Sequence, residues 1–171
     1  MESLYPVTKV RPILEIPIMK TLLIVCHAPS PNTQAMLHAM TQAIENSQLT
    51  NLQLNVKAPL DATAQDVLQA DGIILGTTEN LGYMSGALKD FFDRIYYSCL
   101  EEKQGLPVVA MVRAGHDGTG TCKALQTILT GLRWRWVQDI LVCRGEWQDG
   151  FLQECHDMAE AMAVALSEGM I

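Results

Sequence analysis

Three stretches of this chain are apolar on consecutive residues, and that limits the folds open to it. They are KTLLIVCH (Lys20 to His27), DGIILGT (Asp71 to Thr77) and LPVVAMVRAG (Leu106 to Gly115). A strand that is apolar on both faces must be covered on both faces, as in a parallel sheet between two helix layers. Two further runs, LQLNVKAP (Leu52 to Pro59) and DILVCRG (Asp139 to Gly145), bring the number of expected strands to five. Helical spacing fills the intervals. Met36, Met40 and Ile44 make a stripe after the first run. Leu88, Phe91, Phe92 and Ile95 follow the third, and Leu125, Ile128, Leu129 and Leu132 the fourth. Phe151, Cys155, Met158, Met162 and Leu166 form a last helix. These stripes read as core-facing sides of amphipathic helices. Thr63, with Asp66 three residues on, marks the start of a shorter helix.

Five strands joined by helical crossovers predict an open, doubly wound α/β sheet. In such a sheet ligands sit outside the carboxyl ends of the strands, where the strand order reverses. Three segments then carry function: 27–33, 77–86 and 113–121. All three are rich in small polar residues, and the second and third read as long loops with several glycines. The first, HAPSPNT, leads from a strand into a helix. The opening N–H groups of a helix lack intrahelical partners and sit at the positive end of its dipole, so this turn is suited to an anion.

Composition removes several alternatives. The formal net charge is −7, which argues against general binding to nucleic acid or an anionic membrane. No apolar run reaches the roughly 18 residues that a membrane span needs. The five cysteines, Cys26, Cys99, Cys122, Cys143 and Cys155, are widely spaced and contain no C-x-x-C pair. They read as reduced thiols of a cytoplasmic protein, with no metal site. Residues 1–18 carry Lys9, Arg11, Glu15 and three prolines, which is not the pattern of a secretory signal. They are expected to form an N-terminal extension, or a docking arm, ahead of one domain over 19–171.

HAPSPNT resembles the phosphate loop of the flavodoxins. Ser30 falls on that loop's middle Thr, and Asn32 and Thr33 match its end. The segment ADGIILGTTENLGYMSGALKDFFDR resembles the flavodoxin-fold NAD(P)H-dependent FMN reductases and quinone reductases. There an apolar strand runs into a short loop, a Gly-x-x-[Ser/Ala]-Gly element and Lys-x-Phe-x-Asp-Arg. The resemblance covers about 20–166 and implies a flavodoxin-like five-stranded parallel sheet, order 2-1-3-4-5, with FMN as cofactor. It implies that Ser30, Asn32 and Thr33 cradle the FMN phosphate. It also implies that Thr78, Glu79, Asn80, Leu81, Gly82, Tyr83 and Met84 line the isoalloxazine and ribityl chain. Arg113, Ala114, Gly115, His116 and Asp117 would close the other side. The first loop departs from the family at Ala28, where Ser is usual, and at Pro31, where Gly is usual. Glu79 brings a negative charge into the flavin loop.

His116 is the candidate for a catalytic role, as a side chain within reach of the flavin edge and able to pass a proton. Asp117 beside it is equally suited to capping the next helix. Tyr83 is the one aromatic residue in the three segments. Flavodoxin carriers sandwich their flavin between aromatics, so a sparser site favours an enzyme that admits a second substrate. The expected activity is transfer of electrons from NAD(P)H through FMN to a quinone, a flavin or a similar small acceptor. The alternatives are a one-electron carrier of flavodoxin type and a flavin-free scaffold or regulator on the same fold. The resemblance is also compatible with a homo-oligomer.

Overall fold

The computed structural model of the chain describes residues 18–171. The expected N-terminal extension, apart from Ile18, lies outside the described residues. The strands are β1 (Lys20–Cys26), β2 (Leu52–Lys57), β3 (Gly72–Asn80), β4 (Tyr83–Met84), β5 (Pro107–Ala114), β6 (Arg135–Trp136) and β7 (Leu141–Arg144). The helices are α1 (Pro31–Asn46), α2 (Ala64–Gln69), α3 (Gly86–Cys99), α4 (Thr119–Gly131) and α5 (Gly150–Ser167). Four parallel strands lie in the order β2-β1-β3-β5. The outer edge of β5 is shared by two short parallel strands. β6 pairs with Pro107 and Val108, and β7 pairs with Met111 to Ala114. The expected fourth and fifth strands are therefore β5 and β7, and the expected strand order stands.

Two strands were not expected from the sequence. β6 has two residues, too few for a periodic pattern to show. β4 runs antiparallel to the end of β3, with Glu79 opposite Met84 and Asn80 opposite Tyr83. The segment expected as a long second loop is thus a β-hairpin. The third loop is also shorter than expected. β5 runs to Ala114 and α4 starts at Thr119, so four residues connect them.

The sheet separates two apolar layers. Alternate residues of β1, Leu23 and Val25, face α2, α3 and α4 together with Ile73, Leu75, Val108, Ala110 and Val112. Leu22, Ile24 and Cys26 face α1 and α5 together with Ile74, Val109 and Met111. Every one of these is 0–3 % exposed, which is why the strands carry apolar residues at consecutive positions. The expected helix stripes pack onto the two layers. Met36, Met40 and Ile44 of α1 and Phe151, Cys155, Met158, Met162 and Leu166 of α5 are buried on one side. Leu88, Phe91, Phe92 and Ile95 of α3 are buried on the other. Burying one such side chain contributes roughly 1.5–3 kcal/mol before entropy is counted.

The Lys-Asp-Phe-Phe-Asp-Arg run of α3 builds the fold. Phe91 and Phe92 enter the core, and Lys89 and Asp93 pair on the solvent side. Arg94 bonds Asp90 at 2.7 Å and donates to the carbonyls of Ala62 and Pro59 at 2.7 and 2.6 Å. A guanidinium offers five donors in a fixed plane, so one side chain ties α3 to the connection between β2 and α2. The α2 start is capped as expected. Thr63 and Asp66 bond reciprocally, side chain to backbone N–H. Among the described residues no helix is long and apolar enough to cross a membrane.

Candidate functional site

The carboxyl ends of β1, β3 and β5 lie side by side, since Cys26 pairs with Gly76 and Thr78 with Arg113. Strand order reverses between β1 and β3. From β1 the chain crosses over α1 to β2 on one side, and β3 and β5 extend the sheet on the other. The three segments singled out by sequence meet at this edge. The His27 N–H donates to the Gly76 carbonyl at 2.9 Å, and the His116 N–H meets the Glu79 carboxylate at 3.4 Å.

At the end of β1, Pro31 occupies the first turn of α1 and Ser30 is its N-cap. Pro is suited there because its missing N–H is one that the helix cannot use. Ser30 Oγ accepts from the Thr33 N–H at 3.3 Å. Thr33 Oγ1 accepts from the Ser30 N–H at 2.9 Å and lies 3.0 Å from the Ser30 carbonyl, to which it donates. Thr33 is buried at 3 % exposure and its hydroxyl proton is spent. Ser30 Oγ also lies 3.0 Å from Thr33 Oγ1, so with the Thr33 proton on the Ser30 carbonyl the Ser30 hydroxyl donates to Thr33, and it must rotate from that contact to reach a ligand. The Asn32 N–H has no partner among the described residues, and its side chain is exposed. This donor set at a helix N-terminus fits a phosphate without any Lys or Arg. Thr33 shapes the loop from beneath it.

The hairpin at the end of β3 turns through Leu81 and Gly82, with φ of 54° and 76°. Two left-handed residues make the tight turn that matches the twist of paired strands. Gly adopts this freely, whereas a left-handed Leu costs about 1–2 kcal/mol. Leu81 is also fully exposed, so burial offsets none of that cost. Asn-Gly or Asp-Gly is the usual sequence sign of such a turn, and Leu-Gly hid this one. Below the tip, Thr77 accepts the Ser85 N–H at 3.0 Å, and Ser85 caps α3 through the Leu88 N–H at 3.2 Å. Both are 1 % exposed. Thr78 bonds Asn80 at 2.8 Å, which stiffens the outgoing strand. Neither Thr77 nor Ser85 stood out as a site residue in the sequence, although Ser85 directly before the α3 stripe is a readable cap.

The candidates divide by where their side chains end. Asn32, Asn80, Leu81, Gly82, Tyr83, Gly115 and His116 are exposed at the edge. Met84 and Ala114 are core residues, 2 % and 0 % exposed, and only their backbone can meet a ligand. Arg113 is turned away from the edge. Its guanidinium donates to the carbonyls of Ala114, Cys143 and Gly145 at 2.6, 3.1 and 2.7 Å and lies 5.5 Å from the Phe151 ring centroid. Asp117 accepts the Thr119 N–H at 2.9 Å and so caps α4. That backbone bond, followed by the Thr119 side chain, lowers the Asp117 carboxyl below the usual carboxylate range. A carboxyl lowered on folding stabilises above its unfolded value, and the contribution disappears only as pH falls through the folded value. This cap is therefore complete at neutral pH. Cys26, at the foot of the first loop, is buried, and burial pushes its thiol up to about 12. At neutral pH it is a neutral packing group and not a nucleophile. All five cysteines are free thiols.

The model of one protein family, NADPH-dependent FMN reductase, matches residues 19–149. The flavodoxin of Aquifex aeolicus (strain VF5) is 31 % identical over 114 residues, which is 67 % of this chain and 60 % of that protein. The chain thus matches less than two thirds of the length of this relative. Among solved structures, a flavodoxin from the domain Archaea superposes with a TM-score of 0.72 at 21 % identity, covering 85 % of this chain and 98 % of that one. The two-electron reduced flavodoxin of Megasphaera elsdenii gives 0.69 at 20 % identity, covering 84 % and 99 %. At those identities the structures speak for the fold, which is flavodoxin-like. The family match spans all three segments of the site together with the sheet that positions them, and on that basis the chain belongs to the NADPH-dependent FMN reductase family.

Proposed function

We propose that this protein binds FMN across the carboxyl ends of β1, β3 and β5 and passes electrons from NADPH or NADH to a quinone, a flavin or a similar small acceptor. The observation that carries the reading is the start of α1. There an unpartnered Asn32 N–H sits at a helix N-terminus beside the part-exposed Ser30 hydroxyl, at the point where strand order reverses. FMN is the flavin of the family, and its phosphate suits that donor set. Bound there, FMN supplies the redox chemistry, while the protein supplies binding, orientation and access. The ring would lie against the hairpin, where Tyr83 is 40 % exposed and offers an aromatic face. His116, exposed on the opposite loop, would exchange a proton with a ligand at this edge. Free thiols suit a reducing cytoplasm.

Anaerobic addition of NADPH or NADH to the FMN-loaded protein tests the reading. Bleaching of the flavin absorbance without any other reductant is expected. A flavin that dithionite bleaches and that neither nucleotide touches would leave the second reading, a flavodoxin-type carrier. The Aquifex aeolicus flavodoxin and the acidic net charge of −7 favour that second reading.

Glu79 adds a further expected result. Its carboxylate is half-buried between the hairpin and the His116 backbone. A negative charge beside the ring opposes the gain of electrons. Glu79→Gln should raise the midpoint potential of bound FMN by tens of millivolts, where about 30 mV corresponds to 1.4 kcal/mol for a two-electron couple. An unchanged potential would mean that the carboxylate is screened from the ring.

A further inference from the structure

Helices α1, α2 and α3 each begin with a side chain that accepts a first-turn N–H. The N-caps of α4 and α5 make no such bond, and at α4 a buried hydroxyl without a partner accompanies the open turn. The N-cap of α4 is Gly118, in a left-handed conformation with φ of 74°, and no side chain caps it from that position. Asp117 takes the Thr119 N–H, but the Gly120 and Thr121 N–H groups have no partner among the described residues. Thr121 is 0 % exposed, and its Oγ1 also lacks a partner. A buried hydroxyl left without a partner costs about 1–3 kcal/mol. Thr121 is the third residue of its helix, as Thr33 is of α1, and there the hydroxyl reaches back to the N-cap. Helical side chains tilt toward the N-terminus, so Thr121 leans over the same first turn whose N–H groups are free.

A cation stands beside this turn. Val142 and Arg144 are two residues apart on β7 and so share a face. A Cβ on Gly118 would meet Val142 Cγ1 at 2.9 Å and the Ala114 Cβ at 3.3 Å, which seats the start of α4 on that face. Arg144 pairs in register with Ala114 and is exposed, and it makes no ion pair among the described residues. Its charge helps to lower the neighbouring Asp117 carboxyl. Three groups oppose an anion at this turn. The exposed Asp117 carboxylate occupies the first N–H and repels a second anion, the Glu79 carboxylate reaches the same loop at the His116 N–H, and the Gly82 carbonyl oxygen packs against Gly120.

We propose that the start of α4 is a second anion site, formed by the N–H groups of Gly120 and Thr121, the Thr121 hydroxyl and the Arg144 guanidinium, and that it takes a phosphate group of the pyridine nucleotide. The assignment of the occupant rests on the reductase reading above. The flavin phosphate has its own place at α1, on the far side of β3. A hydride donor that itself carries phosphates needs a second positive place at the same sheet edge, and the β5 end supplies it.

The test uses FMN-free protein, so it does not depend on whether flavin binds. Inorganic phosphate is titrated while backbone amide resonances are followed by NMR, and the titration is repeated with NADPH and with NADH. Phosphate should shift Gly118, Gly120 and Thr121, and a nucleotide should shift the same amides and compete with phosphate. Arg144→Gln, a surface change, should weaken phosphate about tenfold, the loss expected for one charge-assisted hydrogen bond. Thr121→Val should weaken it too, Thr121→Ser should retain it, and Asp117→Asn should tighten it by removing the competing charge. Phosphate shifts confined to other amides, or an Arg144→Gln variant that binds as wild type does, would overturn the site. Phosphate shifts at α4 that neither nucleotide reproduces would overturn the nucleotide as occupant. Failure here with FMN binding intact would leave the flavin reading standing, and the reverse result would remove the flavin reading alone.

Discussion

Ser30→Ala is expected to weaken FMN binding about tenfold or more while leaving riboflavin binding nearly unchanged, because a hydrogen bond to a charged phosphate is worth about 1.5–3 kcal/mol. The reason lies in how the two hydroxyls of the first loop are used. Thr33 spends its proton on the Ser30 carbonyl and is buried, whereas the part-exposed Ser30 hydroxyl bonds Thr33 Oγ1 at 3.0 Å and can rotate from that contact to a phosphate. Ser30 also caps α1, so its loss should lower stability by about 1 kcal/mol. Thr33→Ala should act in the same direction on FMN, but through the loop, since Thr33 Oγ1 holds the Ser30 N–H at 2.9 Å. Quenching of flavin fluorescence on titration of folded apo-protein measures both ligands. Equal losses for FMN and riboflavin would place Ser30 away from the phosphate, and no quenching by wild type at tens of micromolar FMN would remove the flavin reading.

Gly120→Ala should have an effect of comparable size by another route. A methyl group at Gly120 would collide with the Gly82 carbonyl oxygen and approach its carbon at 3.1 Å. The collision is with backbone at the hairpin tip, which cannot rotate aside as a long side chain can. Overpacking of this kind costs about 1–3 kcal/mol. At 2–4 °C per kcal/mol for a chain of this size, the melting temperature should fall by about 2–12 °C. The alternative relief is a displaced hairpin, seen as faster amide exchange between Glu79 and Met84. The hairpin faces the proposed ring position and not the phosphate, so FMN and riboflavin should weaken together, unlike in Ser30→Ala. An unaltered melting temperature with unaltered exchange would show that the hairpin does not rest on α4 in solution.

Much of the fold was legible because its causes are local or periodic. Strands covered on both faces must be apolar at consecutive positions, and β1, β3 and β5 showed this directly. The stripes of α1, α3 and α5 follow from the 3.6-residue turn, and the Thr63 cap from a spacing of three. The position of the site was legible for a topological reason, since the order β2-β1-β3-β5 places the reversal at β1 and β3. The hairpin was not legible. Thr77 and Thr78 suit extended backbone, but the polar Glu79 and Asn80 and the unusual turn residue Leu81 gave the segment the look of a loop.

The use of individual side chains divides along the same line. The sequence by itself determined the two-layered sheet, the positions of the first-turn caps and the edge at which a ligand can sit, because each follows from backbone periodicity and nearest-neighbour chemistry. Only the tertiary structure decided which polar groups are left over for a ligand. Arg113 lies in a site segment by sequence, yet three carbonyls of its own and the neighbouring strand's end claim its donors. Glu79 meets the backbone of His116, 37 residues away. Arg144, outside all three segments, comes beside α4 because β7 pairs with β5. Hydrogen-bond capacity is consumed by whatever partner lies within about 3 Å, and for long side chains at a sheet edge that partner is set by strand neighbours distant in the chain.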